Sequence, residues 1–158
     1  MAVGTVSSVN DDIWQLIATT TPSSATSSSF TSISGYKKLM VVFSGTISGD
    51  YALNLTFNSD TTASNYGGAS QLWSSLGDWS NADARIPMFG YTGVGTTNAV
   101  SCAIIEYADV ATPKIITIRG SKVTVGNGVY LGSAISSVTV AANSGTLTAT
   151  IKLYGIAA

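Results

Sequence analysis

In "DYALNLTF", Tyr51, Leu53, Leu55 and Phe57 fall on one face of an extended chain, and Ala52, Asn54 and Thr56 fall on the other. "GTLTATIKLYGI" repeats the pattern, with Leu147, Ala149, Ile151 and Leu153 set against Thr148, Thr150, Lys152 and Tyr154. A period of two marks a β-strand with one face in a core, and no helix presents it. "KLMVVFSG" and "PKIITIRG" are shorter, more continuous apolar runs, as expected of strands buried on both faces. Helical spacing is nearly absent. "DDIWQLIA" has room for one helical turn before Thr19–Thr21 and Pro22 stop it.

The punctuation between these runs is that of strands. In "GNG", Asn127-Gly128 can supply the two positive φ values of a type I′ turn, which predicts a hairpin between "SKVTV" and "VYLG". "SGD" at Ser48–Asp50 predicts another. Turn signals recur at intervals near ten residues. The expected fold is therefore all-β, an antiparallel two-sheet sandwich of eight to ten strands, of the jelly-roll kind. Two segments resist the pattern. "TTTPSSATSSS" (Thr19–Ser29) reads as a solvated polar link. Asn65–Pro87 reads as a long loop, and Trp73 and Trp79 within it need somewhere to pack. With Tyr66 and Phe89 at its ends, that loop is the candidate contact surface.

The chain of 158 residues suits one domain, expected at 13–158 behind an extended N-terminal arm at 1–12. Charged residues are only 9 % of it, against ~25 % in an average protein, and the net charge is −1. So neutral a surface fits a protein that sits against other proteins. The few basic residues are scattered, with Lys37-Lys38 the one adjacent pair, so no nucleic-acid partner is expected. No apolar run approaches a membrane span, and "MAVGTVSSVNDD" has neither the positive start nor the apolar centre of a secretory leader. The one cysteine, Cys102, sits in "VSCAIIEY" and reads as a small core residue.

Chemistry is hard to build from this inventory. Without histidine there is no conventional Ser-His-Asp or Cys-His constellation. Of the candidates Glu106, Asp109, Asp60, Asp50, Asp78 and Asp83, only Glu106 and Asp109 are close in sequence, and nothing brings a carboxylate pair into one cleft. No enzyme activity and no cofactor are expected. "TFNSDTTASNY" (Thr56–Tyr66) is the densest polar stretch after an apolar run. Asn58, Asp60 and Thr62 have a spacing that a calcium loop uses, but the sixth and twelfth positions are Ala63 and Ala69 in place of glycine and glutamate. The better reading is a structural turn, with Asn58 and Asp60 accepting from nearby backbone N–H groups, and Asn65 and Tyr66 at its far end. A glycan platform of Trp73, Trp79, Tyr66 and Phe89 stays open beside the reading that these rings fill a core or an interface. "NLT" at Asn54–Thr56 lies inside a strand and is set aside as a glycosylation acceptor.

Taken in order, Trp14, "SFTSISGYKKLMVVFSG" (Ser29–Gly45), "LNLTFNSDTTASNY" (Leu53–Tyr66), "SAISSVTV" (Ser133–Val140) and the closing "LYGI" (Leu153–Ile156) resemble a group of small tailed-bacteriophage virion proteins. The resemblance covers most of the chain. Its densest part is Phe57, Asn58, Asp60, Thr61, Asn65 and Tyr66. The pattern carries glycine after the first asparagine, where this chain has Ser59, a residue less suited to a positive-φ turn. The resemblance implies a β-sandwich structural protein of the virion. One form is a capsid decoration (cement) protein on the outer surface of the head, a homotrimer whose partner is the major capsid protein. The other is a tail or fibre module that recognises host surface glycan. It implies no catalytic residues.

Overall fold

Alternating segments become strands, and the strands run further than their glycines suggest. The computed structural model describes residues 13–72, 75–79, 84–121 and 124–158. Among them are ten strands: β1 (Gln15–Thr20), β2 (Ser27–Phe30), β3 (Tyr36–Phe57), β4 (Tyr66–Leu72), β5 (Ser75–Trp79), β6 (Ile86–Glu106), β7 (Lys114–Gly120), β8 (Thr124–Tyr130), β9 (Val138–Ala142) and β10 (Leu147–Ala157). One 3-10 turn, Ala63–Asn65, precedes β4. All pairings are antiparallel. The 1–12 arm lies outside the described residues.

The architecture is the all-β, two-layer antiparallel sandwich that the alternation predicts. Hydrogen bonds link the strands in the order β1-β10-β3-β6-β7-β8-β4-β5, with β9 also on β3 and β2 on β9. The first part of β3 pairs with β10, from Ile47↔Leu147 onward, while Leu53–Phe57 pairs with β9. β3 and β6 thus pass through both layers. The bend is made where two glycines with positive φ meet, Gly49 (86°) and Gly145 (77°). A Cβ on Gly145 would lie 2.2 Å from the Ser48 carbonyl oxygen, so no other residue fits there without movement. Ser48 N–H donates to Thr146 O at 2.8 Å and ties the two bends together.

The core follows from the pleat. Leu39, Val41, Phe43, Ile47, Leu53, Leu55 and Phe57, all odd positions of β3, are fully buried. β6 changes phase along its length: Ile86 and Met88 point inward at one end, and Ala99, Ala103 and Ile105 at the other. Register shifts between Asp50 and Ala52 and between Leu53 and Asn54 explain the change, because an odd slip sends the other set of side chains inward. Ile116 and Ile118 of β7, Val138 and Val140 of β9, and Leu147, Ile151 and Leu153 of β10 complete the core. Each such side chain contributes about 1.5–3 kcal/mol by leaving water.

Several expectations are corrected. Gln15–Thr20 is a strand on β10, not the end of a helical turn. Ser48–Asp50 is the bend inside β3, not a hairpin. Asn127-Gly128 lies within β8, opposite Ala69 and Gly68 of β4 and Thr117 and Ile116 of β7, and neither residue has positive φ. Gly128 is buried, and a Cβ there would meet Ile86 Cδ1 at 2.9 Å. This glycine serves close packing rather than a turn. Ser27–Ser29, expected in a solvated link, belongs to β2 and pairs with β9. The expected loop from Tyr66 to Phe89 is largely strand. β4 pairs with β8, β5 pairs back on β4 from Gly68↔Trp79 to Leu72↔Ser75, and β6 starts at Ile86.

Candidate functional site

β3 ends at Phe57, and the next two residues, Asn58 (φ 55°) and Ser59 (φ 52°), are both left-handed. Asp60 N–H then donates to Phe57 O at 2.8 Å and closes the turn. Asparagine tolerates this conformation well; Ser59 adopts it where the resembled pattern has glycine. The side chain of Asn58 shows what holds the turn. Its Oδ1 accepts from Ser136 N (2.7 Å), Ser137 N (3.1 Å) and Ser136 Oγ (3.1 Å). Its Nδ2 donates to Ala134 O (2.9 Å) and Ser133 Oγ (3.1 Å). One side chain therefore pins the 133–137 connection to the end of β3.

Asp60 does the same in the other direction. Oδ1 accepts from Thr62 N at 2.8 Å, while Oδ2 accepts from Asn65 Nδ2 at 2.7 Å and from the Tyr130 hydroxyl at 3.1 Å. The Asn65 amide first, and then the Thr62 N–H, hold its carboxyl down at about 2, below the ordinary 3.8. The Tyr66 hydroxyl accepts from Phe57 N (3.1 Å) and lies within donating distance of Phe57 O (3.2 Å) and Asp60 O (3.1 Å). Burial is the main reason that Tyr66 is pushed up to about 12; the neighbouring Asp60 charge adds to it, and the Phe57 backbone bond opposes it. Tyr130 is raised too, by burial first and then by Asp60. The rings of Phe57, Tyr66 and Tyr130 pack together, with Tyr130 5.0 Å from each of the others.

Beneath Tyr130 lies Lys114, fully buried at the start of β7. Its ammonium donates to Gly132 O and stands 5.3 Å from the Tyr130 ring centroid. Burial lowers its pKa. The cluster thus joins β3, β4, β7, β8 and the 133–137 connection. Asn58, Asp60, Asn65 and Tyr66 come together as one network, and Tyr130, Lys114 and Ser133–Ser137 are members that sequence reasoning missed. A lysine alone in the apolar run "PKIITI" was the available signal for Lys114.

Chemically, this network is occupied with its own scaffold. The Asp60 carboxylate already accepts three hydrogen bonds, and no group of three or more metal-ligating side chains occurs among the described residues. Of the candidate contact residues, Trp73 lies outside the described residues, Trp79 is the last residue of β5, and Phe89 sits in β6 opposite Leu53.

A second region is the outer face of the larger layer. There the polar set that a solvated antiparallel sheet carries is interrupted at the centre by apolar residues. Met40 and Val42 of β3, Val100, Cys102 and Ile104 of β6, and Ile115 of β7 all point outward. Val100 is 53 % exposed and Ile115 49 %, while the others are half-buried. The expectation that "KLMVVFSG" and "PKIITIRG" are covered on both sides is met on one side only within this chain. Cys102 is on this face, not in the core; burial raises its thiol pKa, the opposite of what an activated thiol needs.

Among the described residues, no helix is long and apolar enough to cross a membrane. No family model matches the chain, and no curated protein matches it. Among solved structures, it is similar to CG-16, a homodimeric agglutinin from chicken liver (12 % identity, 80 % of this chain and 98 % of that one, TM-score 0.42). It is also similar to a human SPRY domain (11 %, 90 % and 97 %, TM-score 0.41) and to a tetrameric galectin from the ball sponge Cinachyrella sp. (12 %, 82 % and 99 %, TM-score 0.38). At these TM-scores the likeness is one of general β architecture and assigns neither ligand nor assembly.

Proposed function

We propose that the chain is a structural protein of a bacteriophage virion, a decoration protein that binds the major capsid protein on the outer surface of the assembled head. The observation that carries this reading is the central sheet, buried by its own chain on one face and carrying on the other an apolar centre of Met40, Val42, Val100, Cys102, Ile104 and Ile115 that the chain covers only in part. Apolar surface left in water costs about 25 cal/mol per Å², and a covering partner removes that cost. The low charge of the whole chain points the same way. So does the resemblance, whose densest segment is the turn built around Asn58, Asp60, Asn65 and Tyr66. The polar groups at that turn are used to fix loops, which suits a rigid mechanical part.

In this reading the protein acts by mass action. A ligand that binds only the assembled lattice stabilises it relative to free subunits. A homotrimer with closed symmetry engages several capsid subunits at once, and weak single contacts combine through effective concentration. The test is co-sedimentation with purified shells and, separately, with isolated capsid subunits. Binding to shells should exceed binding to subunits by about a hundredfold or more. Removing Ala2–Asn10 should weaken shell binding if that segment is an arm. Binding to host cells or cell-wall glycan, with none to shells, rejects decoration in favour of a tail or fibre role.

A further inference from the structure

We propose that the outer face of the larger layer is the docking surface, and that it takes an apolar protein face carrying carboxylates. The inference deepens the decoration reading and rests on it for the identity of the partner.

The strand register places the side chains. Lys152 of β10 faces Val42 of β3, Val42 faces Cys102 of β6, and Cys102 faces Arg119 of β7. The next row runs Tyr154, Met40, Ile104 and Thr117. Ser44 faces Val100 on one side of these rows, and Lys38, Glu106 and Ile115 follow on the other. An apolar centre thus lies between two cations. Lys152 and Arg119 are three strand steps apart, roughly 14 Å at the usual ladder spacing.

The charges are unbalanced on this face. Its one described acid, Glu106, is engaged by Lys38 at 2.9 Å. Among the described residues, neither Arg119 nor Lys152 has an ion-pair partner. A chain of net charge −1 therefore presents an apolar patch with two unanswered positive charges at its flanks. Charge complementarity calls for carboxylates at similar separation with apolar side chains between them. Arginine on the rim suits a carboxylate in geometry as well as sign. A polyphosphate strand or an anionic lipid surface is a poorer match, because either needs a dense run of cations and gains nothing from the apolar residues between them.

Cys102 makes the proposal testable without any label being introduced. It is the chain's one cysteine and stands in the row between Val42 and Arg119. Its modification by N-ethylmaleimide is followed in free protein and in protein bound to purified heads of the phage that carries the gene. Bound protein should react at least about tenfold more slowly. In parallel, the double variant R119E/K152E should lose tenfold or more in affinity for heads at low salt, with less loss relative to wild type at high salt. Its melting temperature should stay close to wild type, since neither side chain is in the core. If wild type binds heads while Cys102 reacts at the free rate, or if R119E/K152E binds as wild type does, this face is not the docking surface, and decoration itself still stands. If wild type does not bind heads, both the decoration reading and the assignment fall. If Cys102 reactivity falls with the protein's own concentration, and R119E/K152E becomes monomeric yet still binds heads, the face joins copies of the chain and the proposal is overturned.

Discussion

Asp60 shows how one residue can tie local and distant sequence together. It receives Thr62 and Asn65 from its own turn and Tyr130 from a strand 70 positions away. Its carboxyl titrates at about 2, below the 3.8 of an unfolded chain. A depressed carboxyl gives stability that is present above the unfolded pKa and lost as pH falls through the folded one. The melting temperature of Asp60→Asn should therefore lie below that of wild type at neutral pH, and the gap should close between about pH 4 and pH 2. A gap independent of pH would show that the charge of Asp60 does not matter. Gly128 makes the opposite point, since its value lies in what is missing. A valine there has to displace Ile86, which is buried. Gly128→Val should cost about 1–3 kcal/mol in denaturant unfolding. Truncating Ile86 to alanine in the same chain should recover part of that loss, a coupling of at least ~0.5 kcal/mol. Additive effects would mean that the two side chains do not compete for one space.

Among the elements, β3 is the one that organises the rest, and its bend depends on Gly49 and Gly145. Gly145→Ala combines positive φ with a Cβ only 2.2 Å from the Ser48 carbonyl oxygen, and Ser48 is itself held by its N–H bond to Thr146 O on the same bend. It should destabilise by about 1–3 kcal/mol, read as a lower urea midpoint; an unchanged midpoint would show that the bend is soft. The bend also explains what was legible in the sequence. Alternation reports which residues share a face, so "DYALNLTF" and "GTLTATIKLYGI" show their strands, with Leu53, Leu55 and Phe57 of the first and Leu147, Ala149, Ile151 and Leu153 of the second inward as expected, while the side chain of Tyr51 lies outside the described residues. Glycine does not report why it is there. In "SGD" it bends a strand and in "GNG" it admits Ile86, yet both read as hairpin turns. Asn65–Pro87 read as a loop because the backbone pairing of β4 and β5 leaves little imprint on side-chain order. The turn network was half legible for a similar reason. Asn58, Asp60, Asn65 and Tyr66 fall in one window, whereas Tyr130, Lys114 and Ser133–Ser137 arrive through the sheet topology.

At the scale of the whole molecule, neighbours in space are distant along the chain. β1 lies on β10, β3 on both β9 and β10, and β4 on β8. Loop closure must precede those pairings, so refolding should take milliseconds to seconds; a microsecond phase carrying the full amplitude would contradict this. The pairing of β1 with β10 has a mechanical side. Gln15 faces Gly155 and Thr20 faces Ile151, so the start of the first strand and the finish of the last lie at the same end of one ladder. Tension that pulls those two ends apart would part the ladder one rung after another, as a zipper opens, at low force. Load applied broadside to the sheet by a partner seated on it would instead be shared by many rungs. Pulling on Gln15 and Gly155 is the weak way to hold this protein, and load spread across the sheet is the strong one.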